Sequence, residues 1–227
     1  VVPPLLDDPA LFQRVKEAIR DTGVGVADSE MVRIGPTTDV ESFRPFLARS
    51  AELGARHILV AMDDTDTSRR IVTYAELCEL AASYQLSADL EFMPWTALRS
   101  IPETLDIIEA SGQDNAAILV DTLHFDRCGC TLEQLASLPA SRMNYVQLCD
   151  GPKEYDRSDE ELIRIARTAR LIPGDGGIDF PGICARLPTS VTISVEIPNL
   201  PQAERMGKAE FARAALNACE RYLGEAD

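Results

Sequence analysis

The sequence predicts an α/β protein on a parallel sheet closed as a TIM-type (β/α)8 barrel, and three observations carry that expectation. Short apolar runs alternate with stretches of helical spacing along the chain, the pattern of strands buried on both faces beneath helices. Four of the runs end on an acid or amide: Leu90-Glu91-Phe92, Leu119-Val120-Asp121, Val146-Gln147-Leu148 and Ser194-Val195-Glu196. Each reads as a buried parallel strand with an oxygen donor at its C-terminal end, the rim where an α/β barrel gathers its functional groups. Finally, no G-x-G-x-x-G and no G-K-S/T follows any strand, so the phosphate-cradling turn of many open nucleotide-binding sheets is missing.

Taken in order, residues 8–22 carry Asp8 before Pro9, apolar residues at helical spacing and Gly23 as a stop, which predicts an amphipathic helix. Val24 to Ile34 reads as a strand, and 39–53 as a helix ended by Gly54. Strands follow at 57–62, 88–92, 116–121, 145–148 and 191–196. Helices are expected near 73–84, 102–110, 132–138, 159–168 and 209–223. Only six strands are counted where a closed barrel of this kind has eight. Residue 1 falls just before a helix with no strand ahead of it, so the first one to two βα units are expected to be absent from the chain. Residues 1–227 are expected to form a single domain.

At 227 residues, 45% apolar and 26% charged, the chain has enough material for a full core. A net charge of −15 argues against nucleic acid, whose binding draws on Lys and Arg to replace counterions, and favours a small ligand. No apolar run approaches the roughly 20 residues that span a bilayer, and Val1–Pro4 has no signal-peptide character. A cytoplasmic protein without membrane partners is expected, with a homodimer admitted as its assembly. Cys78, Cys149, Cys184 and Cys219 lie in apolar or helical contexts that suit reduced, packed thiols. The Cys128-x-Cys130 pair lacks a second pair at zinc-site spacing, and the chain has two histidines, so a structural zinc is not expected.

Pro94 after Glu91 and Pro198 after Glu196 turn the chain away at the strand ends, which puts both carboxylates at the rim. The alternative for Glu91 is a surface salt bridge. Asp121 ends a buried run, where ionisation is costly unless a cation or donors meet it. His124 is either a core histidine bonded to a carbonyl or part of the site. Gln147 either joins the site or holds a loop, and Asp150 either helps the site or begins the turn at Gly151. In the segment 170–179, Arg170 brings a guanidinium to an oxyanion or hydroxyl while the glycines allow close approach; the alternative is a flexible surface turn with a solvated arginine.

With these residues in this order, Leu-Glu-Phe, Asp-Thr-Leu-His, Arg170 ahead of Pro-Gly-Asp-Gly, and Ser-Val-Glu, the chain resembles the xylose isomerase-like TIM barrels, the superfamily of sugar phosphate isomerases and epimerases. The resemblance runs from about Gly23 onward. It implies a carbohydrate-like substrate, metal ligands at Glu91, Asp121, Gln147 and Glu196, proton exchange by Glu91 and Glu196, and substrate contacts from His124 and Arg170. Gln147 stands where many relatives carry histidine. An all-oxygen shell is harder, which favours manganese or magnesium, with zinc or cobalt admitted. The chemistry expected is enediolate formation at a metal-polarised ketone, with one glutamate removing the proton and the other returning it. Isomerisation, epimerisation and dehydration share this first step. The alternatives carried forward are a metal-dependent dehydratase of a keto-cyclitol or dehydroshikimate-like acid, and a catalytically silent sugar-binding barrel. A three-zinc endonuclease is disfavoured by the scarcity of histidine and by the net charge.

Overall fold

In the computed structural model, which describes residues 5–223, six strands follow one another in chain order in one parallel sheet. The reading of Val1–Pro4 lies outside the described residues. Helix α1 (Pro9–Thr22) starts as its sequence signals require: Asp8 accepts the Leu11 amide at 2.8 Å, Pro9 opens the first turn, and Gly23 ends it at φ 70°. Strand β1 (Asp28–Ile34) is shorter than expected and buries only Val32 and Ile34, while Val24 stays exposed. The helix read over 39–53 splits into a 3-10 turn (Val40–Phe43) and α2 (Arg44–Glu52). Pro45 has no amide to continue one helix through this point. Strand β2 (His57–Met62) lies where its unbroken apolar run puts it, with 58–62 buried. Helix α3 (Thr67–Ala82) begins ahead of the predicted Thr73, because Asp66 caps it through the Arg69 amide at 2.8 Å and its first turn is polar.

Strand β3 (Ser87–Glu91), helix α4 (Ile101–Ser111) and strand β4 (Ala116–Asp121) complete the middle of the chain. The contacts divide the molecule into two compact units, the first reaching Leu90 and including 107–117, the second comprising 91–106 and the residues from Ile118 onward. In the first, Tyr74 on α3 is fully buried and satisfies its hydroxyl on the Ala88 carbonyl at 2.7 Å.

The second unit holds every residue of the candidate site. It contains α5 (Thr122–Arg127), α6 (Leu132–Ala136), β5 (Tyr145–Leu148), α7 (Asp159–Thr168), α8 (Phe180–Cys184), β6 (Thr192–Val195), α9 (Leu200–Met206) and α10 (Lys208–Leu223). Asp121 pairs with Gln147 across β4 and β5, and Gln147 with Ser194 across β5 and β6. Paired residues of neighbouring strands point to the same face, so the pleat aims Asp121, Gln147 and Ser194 the same way. Glu196, two residues past Ser194, still donates its amide to the Leu148 carbonyl at 3.1 Å. One expectation fails here: β6 is half-buried, with Val195 exposed, and not the fully buried strand its sequence suggested. It is the last strand in the order, and a neighbour on one side only covers it incompletely.

The segment after Arg170 is not a loose turn. The Asp150 carboxylate accepts four backbone amides, from Gly151 at 2.8 Å, Gly174 at 2.9 Å, Gly176 at 2.9 Å and Ile178 at 3.1 Å. A Cβ at Gly176 would overlap both the Gly151 carbonyl and this carboxylate, so only glycine fits. Asp150→Ala strips a buried anchor from four donors and is expected to cost about 3 kcal/mol in urea unfolding. Amide exchange at Gly174, Gly176 and Ile178 should accelerate with it; unchanged exchange at those three amides would show that other contacts hold the segment.

Candidate active site

Asp121 has two structural duties before any catalytic one. As the last residue of β4 it is also the cap of α5, its Oδ1 accepting the Leu123 amide at 2.7 Å and the His124 amide at 3.1 Å. Its Oδ2 receives Nη1 of Arg170. The cap sets where His124 emerges, and the indole of Trp95 packs edge-on against the imidazole, centroids 4.9 Å apart at 87°. Trp95 sits in a loop closed by Thr96, whose hydroxyl bonds the Met93 and Leu98 carbonyls at 3.0 and 2.8 Å. The result is a buried group: ligand-capable atoms of Glu91, Asp121 and His124 all lie within 4.8 Å of one another. Nε2 of His124 stands 3.8 Å from Oε1 of Glu91, and its Nδ1 is buried with no hydrogen-bond partner among the described residues.

Arg170 is the counter-charge of this site. Only 4% of its side chain is exposed, and it reaches Asp121 through Nη1 and Glu196 through Nη2 at 3.1 Å. Its Nε donates to the Ala166 carbonyl at 2.8 Å, and Nη1 also meets the Cys149 sulfur at 3.1 Å. The backbone there is fixed by Asn199, whose amide donates to the Arg170 carbonyl at 2.9 Å. Thr122 ties the ends of β4 and β5 by accepting the Cys149 amide at 2.9 Å and donating to the Cys149 carbonyl at 2.6 Å. A surface turn with a solvated arginine is therefore not what 170–179 forms.

Of the predicted set, Glu91, Asp121 and His124 come together, and Gln147 stands in register beside Asp121. Glu196 is not part of the compact group; its side chain is 32% exposed and its carboxylate rests on Arg170. His124, assigned to substrate from the sequence, is within the group able to hold a metal. Trp95 and Thr122 carry no sequence signal of their own: an aromatic in a loop and a hydroxyl opening a helix are common without function, and only their contacts with His124 and Cys149 tie them to the site.

Burial shapes the electrostatics. Desolvation holds the His124 imidazole down to about 4, outweighing the upward pull of Asp121, with Arg170 adding to the depression. Burial pushes Asp121 up, but the charge and hydrogen bonds of Arg170, together with His124, bring its carboxyl below the ordinary value. Burial also pushes the Cys149 thiol up, which keeps it protonated. The site thus sets an ionised aspartate beside a neutral imidazole.

A family model for the xylose isomerase-like TIM barrel matches residues 2–219, and the chain belongs to that family. An inosose isomerase of Bacillus velezensis is 23% identical over 204 residues, covering 82% of this chain and 69% of the relative. The chain therefore spans about two thirds of that relative's length. A 3-dehydroshikimate dehydratase of Pseudomonas aeruginosa is 25% identical over 111 residues, which cover 48% of this chain but 17% of that protein. Among solved structures, the IolI protein with a bound zinc atom superposes with a TM-score of 0.82 at 17% identity, covering 97% of this chain and 84% of that one, a likeness of fold.

The low His124 value has a consequence for stability. In metal-free protein the unfolded chain takes up a proton near 6.5 and the folded one near 4, so this residue's contribution is complete above 6.5 and is lost as pH falls towards 4. Ring-nitrogen NMR, assigned with His124→Gln, should place its midpoint near 4. A midpoint at the ordinary histidine value would contradict the buried, neutral ring.

Proposed function

We propose that the protein is an isomerase or epimerase of a sugar-like hydroxyketone, a polyol ketone or keto acid, that moves a proton on the carbon beside the carbonyl. The supporting observation is the convergence of Glu91, Asp121 and His124 within 4.8 Å, with Gln147 in register and Arg170 linking Asp121 to Glu196. In this reading a divalent ion is held by Glu91, Asp121, Gln147 and Glu196, of which Glu91 and Asp121 already stand together while Glu196 rests on Arg170 and would have to turn from it; the buried Nδ1 of His124, without a hydrogen-bond partner among the described residues, is compatible with a ligand there. Oxygen donors suit manganese or magnesium; the imidazole within the group suits zinc or cobalt as well. Such an ion, when bound, supplies Lewis-acid polarisation of the carbonyl. Glu91 and Glu196 are the acid–base pair, one taking the proton from carbon and the other delivering it. Neutral His124 offers a ring nitrogen to a substrate oxygen. Arg170 keeps Asp121 ionised, orients Glu196 and has one Nη2 hydrogen left to offer a substrate hydroxyl.

The same proposal carries a small carbohydrate-like molecule as the partner, and a cytoplasmic protein that forms a homodimer. Among the described residues no helix is long and apolar enough to cross a membrane. The second reading is a dehydratase, favoured by the Pseudomonas aeruginosa relative. In it the proton leaves as above and a β-hydroxyl departs as water, giving a conjugated, absorbing product.

In D2O with a turned-over hydroxyketone, the protein should place deuterium at the carbon next to the ketone, read by NMR. Glu91→Gln and Glu196→Gln should each lower turnover by roughly a hundredfold or more, and Glu91→Gln and Asp121→Asn should lose metal by elemental analysis. Unlabelled product with intact stereochemistry rules out the solvent-exchanging reading, and unchanged metal content in both variants rules out the ligand set. A new ultraviolet chromophore would decide for dehydration.

A further inference from the structure

Within the second unit a cavity of about 320 Å³ opens among the loops that follow β3, β4 and β5, a size in the usual range for small-molecule sites. Its lining neighbours the site in sequence and does not include the site residues themselves: Pro94 stands three residues beyond Glu91, and Asp126 two beyond His124. Arg99, Arg127 and Arg157 all line it. In a protein of net charge −15, three guanidiniums facing one cavity run against the overall field.

Arg127 is the fixed wall. Its guanidinium carbon lies 3.6 Å over the Tyr155 ring, it pairs with Asp126 and donates to the Pro152 carbonyl at 2.7 Å, and 4% of its side chain is exposed. Its Nε is buried without a hydrogen-bond partner among the described residues. The other two arginines are exposed and largely unspent: Arg99 uses Nε on the Thr96 carbonyl at 2.9 Å, and Arg157 makes no hydrogen bond or ion pair among the described residues. Asp126 and Asp159 also line the cavity. Three guanidiniums against two carboxylates leave one net positive charge, which balances a monoanion and not a dianion.

We propose that the substrate carries a carboxylate, which Arg99 and Arg157 grip in this cavity while the ketone lies at Glu91 and Glu196. The proposal rests on the hydroxyketone reading above and narrows it to keto acids. The planar fork of a guanidinium matches a carboxylate, and a charge-assisted bond of this kind gives orientation as well as affinity. Held at its far end, the substrate has one register against the two glutamates, a positioning that a neutral polyol does not obtain from these arginines.

Calorimetric titration of metal-loaded protein with shikimate and with its neutral methyl ester tests this without turnover, because neither probe has a ketone. Its outcome is thus separate from that of the deuterium experiment. The wild type should bind shikimate about tenfold or more tightly than the ester, a ratio expected of one charge-assisted pair. The preference should fall below threefold in the Arg99→Gln, Arg157→Gln double variant, whose substitutions lie on exposed side chains. In the wild type it should also shrink as salt is raised. Fructose 6-phosphate should gain less over fructose than shikimate gains over its ester. Equal binding of acid and ester, a preference that survives the double variant, or a larger gain from phosphate would each overturn the assignment.

Discussion

The guanidinium of Arg170 is what allows Asp121 to stand ionised in a dry interior and Glu196 to be held in reach of the same site. An unpaired carboxylate in such surroundings either protonates or destabilises the fold, since desolvation costs several kcal/mol per ion. Here the compensation is complete in geometry: Asp121 accepts two amides and one guanidinium, and Arg170 spends its Nε on a carbonyl so that its forked end faces the acids. The position of His124 follows from the same carboxylate, because the amides Asp121 caps are those of the turn carrying the imidazole. Removing Arg170 leaves Asp121 buried without a counter-charge, and removing Asp121 leaves Arg170 with Glu196 as its one acid, so this pair is both the electrostatic and the geometric origin of the site.

Two buried aspartates near neighbouring strand ends do different work, and the difference lies in their donors. Asp150 is saturated by four backbone amides and fixes the chain from Gly174 to Ile178. Asp121 keeps a guanidinium partner and lies within 4.8 Å of a second carboxylate and an imidazole. The first is spent on architecture; the second remains chemically addressable. Between them Thr122 links β4 to β5 with a hydroxyl that donates and accepts at once, holding the two strand ends in register where Asp121 and Gln147 face the same way.

The strands at 57–62, 116–121 and 145–148 were legible because unbroken apolar runs have few other uses, and β4 is buried along its whole length. The strand-end acids were legible for the complementary reason that a charge closing such a run needs a partner. What stayed hidden was local or non-local in particular ways. Helices α5, α8 and α9 are too short for periodicity to register, although Asp179 before Pro181 and Asn199 before Pro201 are cap-and-proline signals that mark the last two. The partnership of Arg170 with Asp121 joins residues 49 apart, and the arginine cavity assembles three loops. Neither juxtaposition is written in any stretch of sequence. The half-exposed β6 shows the limit of reading burial from pattern alone: Ser-Val-Glu has the composition of a buried strand end, but coverage depends on what packs beside it.

The proposed metal site requires one cation to gather the strand-end donors against the charge of Arg170. Anomalous diffraction from crystals grown with manganese, collected on both sides of its absorption edge, tests this most directly. One peak in contact with the carboxylates of Glu91, Asp121 and Glu196 and the amide oxygen of Gln147, with Arg170 still paired to Asp121, is the result expected. A metal bound elsewhere, or none bound while Arg170 stays locked between Asp121 and Glu196, would contradict it.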